Sequence, residues 1–177
     1  KKIICISVFI AAAISGYAKT IRIGSQRPVK TIQQGLLLAA AGDTLLVDAG
    51  KYHEKNIIIN KSVSLVGTGH PVLDGDHTYE VISVKANGVL VDGFKIINSG
   101  ISSIEDYAGI KVYNSRDVII RNNILEDTFF GIYIQFGINC IIVDNILTAS
   151  RKIEQESGNG IHCWKSDSLR IIGNTVH

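Results

Sequence analysis

The phrase Gly109-Ile110-Lys111-Val112 decides the fold, because it returns at regular intervals along the chain. Its counterparts are Val81-Ile82-Ser83-Val84, Gly131-Ile132-Tyr133-Ile134 and Gly160-Ile161-His162-Cys163. The isoleucines of successive phrases are 28, 22 and 29 residues apart. Repeats of this length are typical of solenoids, in which each repeat is one structural unit that buries its apolar side against its neighbours.

A second phrase follows each first one and ends, in three of four cases, in asparagine; its four copies are Val89 to Phe94, Val118 to Asn123, Cys140 to Asn145 and Leu169 to Asn174. A third short apolar segment then supplies Ile96, Leu125, Leu147 and Val176. Three short strands in every 22 to 29 residues make one turn of a solenoid. The sequence therefore predicts an all-β fold, a right-handed, single-stranded parallel β-helix.

Strand alternation assigns the side of each residue, since successive side chains of a strand point to opposite faces. Ile110 and Val112 are predicted to point inward and Lys111 outward. The same rule places Cys140 and Cys163 in columns of core residues, so we interpret both as small core side chains. A disulfide or a metal role for either remains the alternative.

Asparagine recurs at one predicted corner of the solenoid, at Asn123, Asn145 and Asn174. Asparagine tolerates left-handed backbone, and its amide can bond to the asparagine of the next coil. We predict a structural ladder here, with a ligand role as the less favoured alternative.

Two segments precede the clear repeats. Residues 1–18 have two lysines, an apolar stretch and the small-residue site Gly16-Tyr17-Ala18, which predicts a cleaved secretory signal peptide; an uncleaved anchor is the alternative. The β-helix is then expected over 19–177, as the N-terminal part of a longer solenoid. Residues 29–41 are predicted to form a short helix that caps the first coil and buries an apolar side of Val29, Ile32, Leu36, Leu37 and Ala40.

The charge is close to balanced. The chain has 18 basic and 16 acidic residues, and the two totals are equal once Lys1 and Lys2 are removed with the leader. A neutral surface argues against nucleic acid or an anionic membrane as partner, because both need a clustered basic field.

Glycoside hydrolysis needs two carboxyl groups that face one sugar. The outward columns do not align such a pair, and the acidic residues of the turns, among them Asp74, Asp76 and Glu80, are expected to be solvated. We therefore predict no catalytic residues, and a glycoside hydrolase or polysaccharide lyase remains the alternative.

One outward surface stands out. Tyr113, Gln135 and Trp164 form one predicted column, and Lys111, Tyr133 and His162 form the column beside it. Aromatic side chains on a flat, exposed sheet suit protein docking or sugar stacking, while stacking between coils for its own sake is the structural alternative. We predict that Tyr113, Tyr133, Gln135, His162 and Trp164 form a partner-docking face.

Several segments resemble the NosD family in order and spacing, most specifically Gly158-Asn159-Gly160-Ile161-His162-Cys163-Trp164-Lys165-Ser166. Others are Ala41-Gly42-Asp43-Thr44, Gly50-Lys51-Tyr52-His53-Glu54, Val72-Leu73-Asp74-Gly75 and Gly131-Ile132-Tyr133. The family usually has leucine at the position of Cys163.

The resemblance implies a solenoid like that of pectate lyases and a periplasmic, non-catalytic maturation protein of nitrous oxide reductase. The implied partners are the NosY membrane subunit and NosF ATPase of an ABC transporter, a copper-chaperone lipoprotein and the reductase, whose copper-sulfide centre is assembled with copper. No ligand set carries over from the family. His162 and Cys163 are weak copper candidates, because neighbours on a strand point to opposite faces.

Overall fold

The computed structural model describes residues 17–102, 104–148 and 158–177. Most of the expected signal peptide lies outside the described residues. The described residues form one helix and a succession of short strands that wind as coils. In chain order these elements are β1 (Thr20–Ile23), α1 (Ile32–Leu38), β2 (Thr44–Val47), β3 (Lys51–Tyr52), β4 (Ile57–Ile59), β5 (Ser64–Gly67), β6 (Val72–Asp74), β7 (Ile82–Val84), β8 (Leu90–Asp92), β9 (Lys95–Ile97), β10 (Ala108–Tyr113), β11 (Ile119–Arg121), β12 (Ile124–Glu126), β13 (Phe130–Gln135), β14 (Ile141–Val143), β15 (Ile146–Thr148), β16 (Ile161–Trp164), β17 (Arg170–Ile172) and β18 (Thr175–Val176).

Equivalent strands of successive coils pair in parallel and build three sheets. The seven-stranded sheet runs β1-β2-β5-β8-β11-β14-β17, the five-stranded sheet β4-β7-β10-β13-β16, and the six-stranded sheet β3-β6-β9-β12-β15-β18. Ile110 is in register with Ile82 and Ile132, and Ile132 with Ile161. The repeat columns and the predicted parallel β-helix are therefore confirmed.

The core fills the interior of the coils with one apolar side chain per inward position. Ile110, Val112, Ile132 and Ile134 are fully buried, as the alternation predicted. A glycine opens three of the four phrases, at Gly109, Gly131 and Gly160, because the space between successive coils is narrow there. A Cβ on Gly131 would lie 2.4 Å from the carbonyl oxygen of Gly160 in the next coil, so no larger residue fits without moving the backbone.

The ladder asparagines stand at the corner between the seven-stranded and six-stranded sheets. The side-chain oxygen of Asn145 accepts from the backbone N–H and the side-chain amide of Asn123, both at 3.0 Å. Asn174 does the same for Asn145, at 3.0 and 2.8 Å. The left-handed backbone belongs to the preceding residues instead: Asn122 and Asp144 have φ of 53° and 54°. The asparagines thus serve the corner through their amides, and our expectation of left-handed backbone at these positions was wrong.

Helix α1 caps the first coil but is shorter than the predicted span of 29–41. Thr31 is its N-cap, and the helix ends where Ala39 becomes extended. Val29 lies outside the helix and forms a parallel bridge with Ile23.

The buried side of α1 also differs from the prediction. A Cβ on Gly35 would meet Ile23 Cδ1 at 2.5 Å, which shows that Gly35 is pressed against the first strand. Ile32 and Leu36 are buried on the same side. This rotation leaves Leu37 81% exposed, and Ala40, which lies beyond the end of the helix, is also exposed, so their predicted burial was wrong. None of the helices in the described ranges is long and apolar enough to cross a membrane.

Candidate docking face on the five-stranded sheet

The outward face of the five-stranded sheet carries both columns that the sequence singled out. Ser83, Lys111, Tyr133 and His162 are aligned in one register row. Tyr113, Gln135 and Trp164 form the row beside it, along β10, β13 and β16. The repeat brings these side chains together because each occupies the same position of its coil.

Part of this face is covered. Lys111 is only 6% and Tyr133 only 4% exposed, so our expectation that Tyr133 is an exposed docking residue was wrong. The ammonium of Lys111 donates to the backbone carbonyl of Asp106 at 3.0 Å. Its Nζ also lies 4.6 Å from the ring centre of Tyr133 and 4.9 Å from that of Tyr113. The segment before β10 therefore lies against the sheet and shields these groups.

A buried carboxylate completes the covered part. Glu80 is 5% exposed, although its position in a turn had suggested a solvated side chain. Its oxygens accept from the hydroxyl of Ser83 and, at 2.9 and 3.2 Å, from the hydroxyl of Tyr113. Burial raises the pKa of the Glu80 carboxyl, although these hydrogen bonds and the Lys111 charge oppose the rise. Burial, together with the Glu80 charge, also raises the pKa of Tyr113.

One feature of the sequence pointed to this cluster. Glu80 precedes Ser83 by three residues, and Ser83 belongs to the same register row as Lys111. We missed it because turns are usually solvated. Asp74 was also predicted to be solvated, and this prediction was wrong. It is 7% exposed and forms an ion pair with Lys51 at 2.9 Å. Its pKa is lowered by hydrogen bonds from Lys51, Asp76 and Asn98, which outweigh the opposing effect of burial.

An aromatic stack connects the covered and the open parts of the face. The His162 ring lies edge-on to Tyr133 at 4.7 Å between centroids and 5.1 Å from Phe130. The side-chain nitrogen of Asn159 lies 3.0 Å from Nδ1 of His162. Phe130 was not singled out from the sequence, because it precedes the repeated phrase. These contacts hold the His162 ring in place on the sheet. They therefore reduce the conformational entropy that its side chain would lose when a partner binds.

The open part of the face is centred on Trp164, whose side chain is 48% exposed. Lys165 lies 5.8 Å from the centre of its ring. Phe136 and Ile138, in the turn after β13, are 39% and 45% exposed. Phe136 has a φ of 53°, a conformation that is unfavourable for a bulky residue. An apolar surface with a tryptophan on a rigid sheet is suited to protein contact.

The two cysteines of the described residues are free thiols. Cys140 is buried, and burial raises its pKa. Cys163 is in register with Ile134 but is exposed, because none of the described strands stacks on the far side of β16. Ile171 is 50% exposed for the same reason, although it is in register with the fully buried Ile142, so Cys163 and Ile171 both stand in the inward columns that the alternation predicted.

The described part of the chain contains no group of three or more His, Cys, Asp or Glu side chains that could hold a metal ion. His162 and Cys163 are consecutive residues of β16 and project to opposite faces of the strand. The geometry therefore does not bring the two weak copper candidates together.

A profile of the family described as "Right handed beta helix region" matches residues 34–176. The chain belongs to the right-handed β-helix family. The match covers every strand of the described solenoid from β2 to β18. It agrees with the parallel coils.

Two curated relatives of this β-helix chain cover most of its length. The first is "Probable ABC transporter binding protein NosD" of Pseudomonas aeruginosa, to which the chain is 27% identical over 144 residues. The aligned part covers 80% of this chain and 34% of that protein. The chain is also 26% identical over 133 residues to a cell surface glycoprotein of Methanothermus fervidus, 73% of this chain and 21% of that protein. The chain thus spans about a third or less of these relatives.

A solved structure is also similar, the pectin methylesterase of Aspergillus niger. It has a TM-score of 0.44 and 13% sequence identity, over 92% of this chain and 77% of that one.

Proposed function

We propose that this β-helix is part of a periplasmic accessory protein that docks onto an ABC transporter and takes part in delivering copper to nitrous oxide reductase. The observation that carries the proposal is the similarity to a probable ABC transporter binding protein over 80% of the chain. The similarity extends across the repeats, so it concerns the solenoid as a whole. Within the solenoid, the part suited to docking is the open face around Trp164.

The structure of that face supports a docking role. Trp164 and Gln135 are held in one row by the register of β13 and β16, so the partner would meet a preformed surface. The stack of Phe130, Tyr133 and His162 lies directly beside this row and stabilises it. Tryptophan on such a rigid surface is the residue type that most often dominates binding energy at protein interfaces.

Copper in this proposal is cargo, and its ligands lie elsewhere than in the described solenoid. His162 is hydrogen-bonded to Asn159 and lies edge-on to Tyr133, while Cys163 points to the opposite face of the strand. A tight copper site takes several His, Cys or Met side chains around one ion. We therefore expect the transporter, the copper-chaperone lipoprotein and the reductase to supply the principal ligands during transfer.

A sugar-cleaving role is less well supported by the geometry. One acidic side chain beside the aromatic face, Glu80, is buried and accepts hydrogen bonds from Ser83 and Tyr113, so a substrate cannot reach it. Cleavage of a glycosidic bond needs two accessible carboxyl groups about 5 to 10 Å apart.

Co-purification from membranes tests the proposal. The tagged protein, expressed together with the membrane subunit and the ATPase of a NosY and NosF type transporter, is expected to retain both in mild detergent. The same preparation is incubated with uronate-containing and neutral polysaccharides, and reducing ends are measured. Retention of the transporter without sugar release is the expected result, and sugar release without retention would overturn the proposal.

A further inference from the structure

Charge is distributed unevenly along the solenoid. Residues 19–62, which form the cap and the first coil, contain seven basic and three acidic residues, a net charge of +4. Residues 63–177 contain nine basic and thirteen acidic residues, a net charge of −4. The balanced total therefore hides a basic cap end, and our argument against an anionic membrane surface does not hold for this end.

The acidic groups of the cap end are engaged within the protein. Both carboxylate oxygens of Glu54 accept from backbone N–H groups at the start of α1, from Ile32 at 2.7 Å and Gln33 at 2.9 Å. Asp43 is 2% exposed, and Asp48 is paired with Arg27 at 2.6 Å. Lys19 pairs with Asp43 at 3.8 Å and Lys51 with Asp74 at 2.9 Å. The positive field that a partner would meet therefore comes mainly from Arg22, Lys30, Lys55 and Lys61.

The same end carries an apolar ridge. Leu37 and Leu38 are 81% and 58% exposed, and Ile58 on β4 is 45% exposed. Leu37 shares one hollow with Ile58 and another with Pro28 and Val29, so the apolar surface continues to both sides of the helix. Gly35 and Leu36 hold the opposite side of α1 against the core, and the ridge cannot turn inward.

Lysine ammonium groups border this ridge. Lys19 Nζ donates to the carbonyl of Leu38 at 3.2 Å, and Lys61 Nζ donates to those of Leu36 and Ala39 at 2.8 Å. Lys30 is exposed just before the helix. Protruding leucines bordered by lysines are the combination that lies at the interface of an anionic bilayer, where the leucines enter the acyl boundary and the lysines meet headgroups.

We infer that the cap end, formed by Leu37, Leu38, Ile58 and the lysines around them, is a contact surface for anionic phospholipid. This goes beyond the proposed docking function and does not require it, because the surface lies at the opposite end of the described coils from Trp164. A peripheral contact of this kind orients the solenoid end-on to the membrane.

Vesicle sedimentation tests the inference with protein purified after export, whose first residue is established by mass spectrometry. The protein is expected to sediment with phosphatidylcholine vesicles that contain phosphatidylglycerol, and not with phosphatidylcholine alone. The double variant Leu37→Ser, Leu38→Ser should partition about tenfold less. Lys30→Gln should weaken partition by a few-fold and make it less sensitive to salt.

Ile104→Ser is the matched control, since Ile104 is 88% exposed but lies in the acidic part of the chain. It should partition like the unchanged protein, and circular dichroism should show that all variants fold. Equal partition of the control and the double variant would overturn the inference. Failure of the unchanged protein to bind anionic vesicles would also overturn the inference. This includes the case in which the ridge binds an acidic, apolar peptide and not the vesicles.

Discussion

The side-chain amide of Asn123 donates to the side-chain oxygen of Asn145, one coil further along, at 3.0 Å. Asn145 in turn donates to the carbonyl of Ile120 at 3.0 Å. Both asparagines are fully buried, so each hydrogen bond satisfies a group that has no access to water. The corner of each coil is thereby tied to the next one through side chains as well as through strand pairing.

Asn145→Ala is expected to lower the free energy of unfolding by about 2 to 4 kcal/mol, because the backbone N–H of Asn123 and the carbonyl of Ile120 both lose a buried partner. Urea unfolding followed by circular dichroism measures the change. Asn60→Ala, at an exposed position, is the control and should change stability by less than about 0.5 kcal/mol. Equal stability of the two variants would show that the ladder contributes nothing.

Lys111→Met is expected to loosen the segment over the aromatic face, because it removes the bond to the carbonyl of Asp106. Faster amide hydrogen exchange at residues 104–107, with little change in the core strands, is the expected result. Lys85→Met is the matched control: Lys85 also lies over the Tyr113 ring, at 5.0 Å, but is exposed. Unchanged exchange in Lys111→Met would show that other contacts hold the segment.

Glu80 should make stability fall as the pH rises. Burial raises the pKa of its carboxyl in the folded protein, so folding favours the protonated form. Stability from this group is complete below its unfolded pKa, about 4.3, and is lost as the pH rises through the raised folded pKa. Asp43, Asp48 and Asp74 have lowered pKa values, so their contributions are lost only at more acidic pH.

The comparison with Glu80→Gln isolates this effect, since glutamine resembles the neutral acid and does not titrate. The free energy of unfolding of the variant minus that of the unchanged protein should increase above about pH 4.3 and then level off. Thermal or urea unfolding at a series of pH values measures it. A difference that is constant with pH would show that Glu80 is not held in a site that favours its neutral form.

The coils could be predicted from the sequence. The alternation along each strand identifies the inward residues, and the repeat of 22 to 29 residues identifies which residues of successive coils are aligned. The exposure of individual outward side chains could not be predicted in the same way. Tyr133 is buried because residues outside the repeat cover it, and no periodicity reports where such a segment lies. Leu37 is exposed because Gly35 takes the place against Ile23, a contact between positions that the helical pattern alone cannot relate.

The most direct test of the account is the affinity of the protein for the detergent-solubilised ABC transporter proposed as its partner, measured with and without Trp164→Ser. Ile146→Ser is the control, because Ile146 is 45% exposed but lies on the six-stranded sheet. We expect Trp164→Ser to weaken binding about tenfold or more, as loss of an interface tryptophan does, and Ile146→Ser to leave it unchanged. Equal affinity of all three proteins, or no binding by the unchanged protein, would contradict the account.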